Sequence, residues 1–504
     1  MGQKKPATVK SVQPPKGTRD LYPEDALRRR YITQTWRDAA IRCGFDEIEG
    51  PTLESSDLYS IKSGEGILSE LFQVYSGKSD KEIEQVQQTG RAPYAMRPEF
   101  TPTLARMYAA HAKQLPKPCK WFTAGPYFRA ERPQRGRLRE FLQWNVDAIG
   151  LPSEDDTPAA RAQMDSETIE CCVCLFDAIG LTSESLKIKF SDREFAVANI
   201  KMRLENQDNL DEALALLDRL SKLPTEKAKE EAKALGFNLD AFLERTSTIA
   251  AMATTLGNMR LDDKSGSEVA EADVSSLKAI AIATNTPMLK PWMEIDFKIV
   301  RGLAYYTGTV FEAIADGERA VAGGGRYDNL IELMGGPPTP AVGFAMGDVV
   351  LANLLDDHDL FPSGAELMDA CSRPQANVRP DAFVVPNGDE PNEPLAHQLT
   401  SQLRRGVESE DWLTREDRKP WNPDRYSVNP LHARITYKST RNLKKLRADA
   451  EKQHARFLVE IHAPDKVELT DMDQRESLTS DVGSFNLDPT SPHYVGRAIA
   501  ERTR

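Results

Sequence analysis

The feature that most constrains this chain is the alternation of long strand-like and helix-like text between Gly44 and Gly150. The strand patterns YAMRPEF and KWFTAGPYFRAER are separated by TPTLARMYAAHAKQL, whose apolar residues recur at helical spacing. That arrangement reads as an α+β domain built on long antiparallel strands. Upstream, Leu27, Ile32, Trp36, Ala40 and Cys43 mark one face of a helix that stops at Gly44. FDEIEGPTL then reads as a strand interrupted at Pro51, and proline donates no ladder hydrogen bond, so this strand belongs at a sheet edge or an interface.

At 504 residues the chain exceeds what one hydrophobic core organises. Residues 1–15 read as a flexible tail and 16–370 as the first domain, with Leu, Ala, Glu and Lys at helical periodicity marking a helical insertion at about 200–265. Strand-like text returns at WMEIDFKIVRGLAYYTGTVFEAIA. Polar, proline-containing residues 371–379 read as a linker. From 380 to 504, DAFVVP, LAHQLTSQLRR, ARITYK, NLKKLRADAEKQHA and FLVEIH alternate as strand and helix, the rhythm of a small α/β domain with a partly parallel sheet.

No apolar run approaches the ~18 residues needed to span a bilayer, so no membrane is expected among the partners. The net charge of −12 argues against wholesale coating of nucleic acid, though not against a local basic site. Of six cysteines, Cys171, Cys172 and Cys174 sit in the apolar helical text ETIECCVCLFDAIG and read as buried structural thiols in a reducing compartment. The expected location is cytoplasmic. Seven histidines, from His111 to His493, show no metal-ligand spacing, so no metal site and no bound zinc are expected. Nucleotide P-loop, dinucleotide and G-x-S-x-G patterns are likewise not seen.

Positive charge is concentrated in FRAERPQRGRLREF, where Arg129, Arg132, Arg135, Arg137 and Arg139 face only Glu131 and Glu140. With Phe128 to Glu131 on a strand, Arg129 and Glu131 share a face, while Phe128, Leu138 and Phe141 anchor the segment on a core. Fixed guanidinium forks beside a basic loop suit a polyphosphate. A second segment, VRGLAYYTGTVFE, sets Arg301 at a strand end before the pair Tyr305 and Tyr306. A third, AVAGGGRYDNLIELMGG, reads as a glycine-rich turn at Gly323 to Gly325 that lets the backbone approach a ligand or strand closely.

Together these segments resemble the class II aminoacyl-tRNA synthetases, and within them the histidyl-tRNA synthetase family. PPKGTRDLYPED, MRPEFTPTLARM, the arginine-rich segment as motif 2, RGLAYYTGTVFE, GGGRYDNLIELMGG and PAVGFAMG at motif 3 stand in the family's order from Lys16 to Met346. The resemblance implies a catalytic domain with an antiparallel sheet flanked by helices, an anticodon-binding-type C-terminal domain, and a homodimer with Leu27 to Thr52 at its seam. It implies histidine, ATP with Mg2+ and tRNA-His as ligands, and formation of histidyl-adenylate followed by transfer of histidine to the tRNA.

By the same resemblance Arg129 and Arg301 are catalytic, Arg129, Glu131 and Arg137 bind ATP, and Arg132, Gln134 and Arg139 meet the tRNA acceptor end. Glu99, Phe100, Thr101, Gln143, Asp147, Tyr305 and Tyr306 form the histidine site. Glu99, Thr101 and Gln143 take the ammonium; Asp147, Tyr306 and Tyr305 take the imidazole, whose two nitrogens both need partners once buried. Two positions depart from the family pattern: Ala304 where Asp is common, and Val350 where motif 3 usually has arginine. The alternative is a histidine-sensing paralogue of the ATP phosphoribosyltransferase regulatory-subunit type, which does not charge tRNA.

Overall fold

The computed structural model describes residues 13–63, 70–153, 155–220, 223–256, 275–300, 305–315, 320–373, 375–387, 392–438, 440, 442–480 and 483–503. Among them, eight strands form one sheet in the order Asp46–Glu47, Cys119–Phe128, Glu140–Ile149, Ala341–Gly347, Ala322–Arg326, Thr309–Ala315, Leu186–Asp192, Met293–Ile295. The six central strands are antiparallel, and the two outer ones pair parallel with their neighbours. The α+β expectation holds, and the Pro51-interrupted segment does supply an edge: Asp46–Glu47 pairs only on one side.

Helices cover the sheet because their apolar stripes have nowhere else to go. Pro23–Arg42 begins on proline at its first turn and buries Ile32, Trp36, Ala39 and Ala40; Trp36 stacks on Trp144 of the sheet with ring centroids 6.2 Å apart. Pro158–Ala178, capped by the Thr157 side chain accepting from Ala160 N, is buried through the whole of Met164 to Phe176, which accounts for its CCVC text. All six cysteines are free and buried. The helices Leu210–Arg219, Thr225–Ala234 and Leu239–Leu256 lie in the stretch expected to be helical.

Four local expectations need correction. The motif 2 strand stops at Phe128, so Arg129 to Glu131 is not strand; the two arms stay joined by hydrogen bonds from Arg129 N to Arg139 O, 2.9 Å, and from Arg139 Nε to Glu131 O, 3.1 Å. Gly323 to Gly325 is not a turn but the middle of the Ala322–Arg326 strand. Glycine is needed there because a Cβ on Gly324 would stand 2.1 Å from Gly343 O and 2.6 Å from Phe344 Cβ. The strand before the tyrosine pair ends at Ile295, so residues 296–300 are loop. Cys371, the first residue assigned to the linker, closes the Gly364–Cys371 helix.

A second sheet runs Ala433–Ile435, Ala382–Pro386, Phe457–Ala463, Lys466–Asp471, Glu476–Leu478, with the first three strands parallel and the rest antiparallel. Asn392–Arg405 packs on one face of it and Leu443–Lys452 on the other. Buried charge ties this unit to the first: Lys120 Nζ lies 3.0 Å from Glu167 Oε2, and Tyr437 OH donates to the same oxygen at 2.6 Å.

Candidate active site

The paired strands Cys119–Phe128 and Glu140–Ile149, second and third in the sheet, end at a basic loop, and side chains alternating along the latter point into a cavity of about 320 Å³. Gln143, Asn145 and Asp147 line it from that strand, together with Glu99 and Thr101 at the start of the Thr101–His111 helix. Arg129, Gly136, Arg137 and Phe141 close the side nearest the basic loop, and Tyr305, Tyr306 and Tyr327 stand at the opposite end. The cavity thus gathers carboxylates and two amides, two guanidinium groups and three phenols in one space.

At the phenol end, Tyr327 OH donates to Asp147 Oδ1 at 2.5 Å. Burial and the facing carboxylate push the Tyr327 phenol well above its ordinary range, so it remains a donor. The tyrosine reaches this side because its neighbours go to the other: Arg326 bonds Asp165 at 2.5 Å and Asp328 at 3.1 Å, fastening the GGGRYD segment to Pro158–Ala178. Tyr305 packs against Tyr306 and Tyr327, with ring centroids 4.5 and 6.2 Å away. On the strand beside Asp147, Gly343 carries no side chain where a Cβ would meet Asp147 Oδ1 at 1.9 Å.

At the middle of the cavity, Gln143 Oε1 is buried with no hydrogen-bond partner among the described residues. A buried acceptor left this way is costly and is satisfied when a donor arrives. Near the loop, Arg129 Nε donates to Pro98 O at 3.2 Å, and its guanidinium lies 5.2 Å from the Phe141 ring centroid. Burial pulls Arg129 below the usual guanidinium range, Glu99 opposes that, and Arg137 adds to it. Arg137 is paired with Glu131. Glu70, which the sequence did not single out, faces Glu131, and burial followed by that neighbouring carboxylate pushes its pKa up. Two carboxylates so disposed beside two arginines are able to hold the magnesium of a nucleotide.

Of the residues singled out, Glu99, Thr101, Arg129, Arg137, Gln143, Asp147, Tyr305 and Tyr306 line this one cavity. Phe100 does not; its ring is buried with Leu104, Tyr108 and Tyr127, beneath Arg97 at 5.8 Å, and so supports the wall from behind. Glu131 sits beside the cavity on Arg137. In the loop, Gln134 and Arg137 form an isolated bridge, and Arg139 is held by Gly17 O and Glu131 O. Arg132 lies in the same loop, outside the cavity lining. Arg301 and Ala304 lie outside the described residues.

Besides Glu70, three contributors escaped sequence reading. Asn145 and Tyr327 line the cavity, and the period-two spacing Gln143, Asn145, Asp147 was the available signal for the first. Arg97 is buried and bridges Pro126 O and Gly50 O, both at 2.9 Å, binding the edge segment to the motif 2 strand. Val350 stands in the cavity wall on the Asp348–Asp357 helix, so the described cations lining the cavity are Arg129 and Arg137. The Asp348 carboxylate at the head of that helix instead holds Arg19 at 2.7 Å and Leu142 N at 2.9 Å.

A family model described as Histidyl-tRNA synthetase matches residues 17–348. A protein from Opitutus terrae named histidine–tRNA ligase is 35% identical over 381 residues, covering 74% of this chain and 81% of that one. One of the same name from Thermococcus kodakarensis is 32% identical over 397 residues, covering 78% and 83%. Among solved structures, histidyl-tRNA synthetase from Nostoc superposes with a TM-score of 0.52 at 20% identity, covering 98% of this chain and all of that one. A Bacillus halodurans protein titled ATP phosphoribosyltransferase regulatory subunit/histidyl-tRNA synthetase gives 0.53 at 20% identity, covering 86% of this chain. These two establish the fold. The antiparallel sheet, with its paired central strands joined by a basic loop, is that of a class II aminoacyl-tRNA synthetase. The chain belongs to the histidyl-tRNA synthetase family.

Proposed function

We infer that this protein is a histidine–tRNA ligase: it activates histidine with ATP and esterifies the product onto tRNA-His. The observation that carries this reading is the gathering of an ammonium-seeking end, an imidazole-seeking end and two phosphate-seeking guanidinium groups in one cavity. In the bound state, the histidine ammonium meets Glu99, Thr101 and the buried Gln143 Oε1, which has no partner among the described residues. The imidazole lies toward Asp147 and the tyrosines, where its N–H and its lone pair each find a partner.

The attacking carboxylate is ionised at neutral pH and needs no general base. Its obstacle is repulsion by the triphosphate. Arg129, immobilised on Pro98 O and against Phe141, carries positive charge at the α-phosphate before reaction, where transition-state charge grows. Arg301 is the second cation of this scheme. Arg137 takes the γ-phosphate, and Glu131 with Glu70 takes the magnesium that arrives with ATP. Arg132, Gln134 and Arg139 meet the acceptor end of the tRNA, the C-terminal unit binds the anticodon stem, and two copies form a homodimer through the Leu27 to Thr52 region.

The compartment is proposed as the cytoplasm; a relative from Arabidopsis thaliana is named chloroplastic/mitochondrial, so location varies among relatives. Among the described residues no helix is long and apolar enough to cross a membrane. Histidine-dependent exchange of pyrophosphate into ATP tests the catalytic reading. Exchange is expected with histidine alone among amino acids. Histidine binding with no exchange would favour the sensor-type paralogue and overturn the ligase. Arg301→Ala should slow adenylate formation far more than it weakens histidine binding, and equal losses would remove Arg301 from the transition state.

A further inference from the structure

Linear spacing of histidine and cysteine gave no metal site, but the C-terminal sheet creates a juxtaposition that spacing does not display. Phe457–Ala463 and Lys466–Asp471 pair antiparallel with Glu460 directly opposite Glu468. Like charges at such a position repel. His462 stands at the register shift between Ile461 and Ala463, and its Nε2 is 3.3 Å from Glu468 Oε1. One ligand atom from each of the three residues lies within 4.8 Å of the others. Glu460 is only 5% exposed, so water does little to disperse its charge. Burial, and then Glu468, push its carboxyl up, against Arg447 at 3.7 Å.

Asn387 Nδ2 lies 3.4 Å from both His462 Nε2 and Glu460 Oε2. According to its tautomer, the imidazole nitrogen presents either an N–H or a lone pair to these polar groups. A cation at the centre suits the lone-pair form. It takes the Nε2 lone pair and both carboxylates, and rotation of the Asn387 amide presents Oδ1 as a fourth donor. The 3.3 Å separation of His462 Nε2 and Glu468 Oε1 matches the edge, about 3.3 Å, of a tetrahedron with bonds near 2.0–2.1 Å.

We propose that Glu460, His462 and Glu468, with Asn387, form a site for one divalent transition-metal ion of the zinc type. An imidazole beside two carboxylates suits such an ion better than magnesium or calcium, which take oxygen alone. The ion pins the hairpin to the end of the Ala382–Pro386 strand. From there the tie reaches the Asn392–Arg405 helix, whose Asn392 Nδ2 donates to Asn387 O and His462 O, both at 2.9 Å.

The test uses the full-length chain stripped with chelator, dialysed against Zn2+, with Co2+ as the spectroscopic probe. One equivalent of Zn2+ should bind and raise Tm, and His462→Ala and Glu468→Gln should each weaken binding by roughly tenfold or more while pyrophosphate exchange persists. Glu468 is exposed, so its variant keeps the fold. Undiminished binding in both variants, no binding at micromolar Zn2+, or sulfur-to-cobalt absorption placing the ion on cysteines would overturn the site.

Discussion

Tyr327 and Asp147, 180 residues apart in sequence, share a hydrogen bond of 2.5 Å at the end of the cavity. The phenol holds one oxygen of a carboxylate that lines the cavity, and so fixes the direction in which that carboxylate faces a ligand. Hydrogen bonds to a charged group contribute about 1.5–3 kcal/mol. Tyr327→Phe should therefore lower kcat/KM for histidine by roughly tenfold to a hundredfold while the KM for ATP changes little. Steady-state exchange kinetics with each substrate varied in turn check this; an equal loss for both substrates contradicts a role at the imidazole end.

Gly343 is the counterpart of that contact on the adjacent strand. A Cβ there would stand 1.9 Å from Asp147 Oδ1 and 2.8 Å from Val146 O, so the Asp147 side chain has to move away from a sheet backbone that is itself crowded. Gly343→Ala is expected to displace Asp147 and abolish histidine-dependent exchange. Titration with ATP by calorimetry separates a displaced side chain from a misfolded sheet: nucleotide binding should survive.

Lys120 stands at the junction of the two sheets. Its ammonium bonds Cys43 O at 2.8 Å, Glu167 at 3.0 Å and Tyr437 at 3.3 Å, all with little exposure. Breaking a buried pair by removing one partner costs about 3–5 kcal/mol because it strands the other charge. Lys120→Met should destabilise by that order in denaturant unfolding. The double variant with Glu167→Gln should recover part of the loss, since the stranded charge is then gone.

Acid should unfold this protein in two stages. Burial, and then Arg434, pull the His432 imidazole down to about 3, consistent with a neutral ring that donates Nδ1–H to Asn377 O at 2.8 Å and accepts from Arg434 Nε at 3.1 Å. Its folded-state value lies below its unfolded value of 6.5, so the stability it contributes is complete above pH 6.5 and lost progressively as pH falls toward 3. Burial pushes Glu167 up, but Lys120, Arg404 and the Tyr437 hydroxyl outweigh it and hold the carboxyl at about 2; its contribution is present above pH 4.5 and lost between 4.5 and 2. Tm measured from pH 7.5 to 4 should begin to fall near 6.5, and His432→Asn should flatten the upper part of that slope. An unchanged slope in the variant would contradict this assignment.

Much of the site could be read because its chemistry is local. Arg129, Glu131 and Arg137 fall within one short segment, and Gln143 and Asp147 follow at strand spacing, so their shared neighbourhood is written into the text. The same holds for the α+β class and for the edge strand, which Pro51 announces by lacking a donor. Glycines were harder. Three in a row satisfy a turn and a crowded strand equally well in sequence, and only the approach of Gly343 O to Gly324 distinguishes them.

What sequence by itself determined is therefore the helical and strand periodicity, the concentration of arginine at motif 2 and the family likeness. These depend on residues close together along the chain, where spacing alone fixes which side chains share a face. Tertiary structure decided what depends on distant partners: that Tyr327 meets Asp147, that Phe100 turns into the core, that Lys120 reaches Tyr437, and that Glu460 faces Glu468. Such contacts are set by strand register and by which sheet face a helix covers, and neither is specified until the whole sheet has closed.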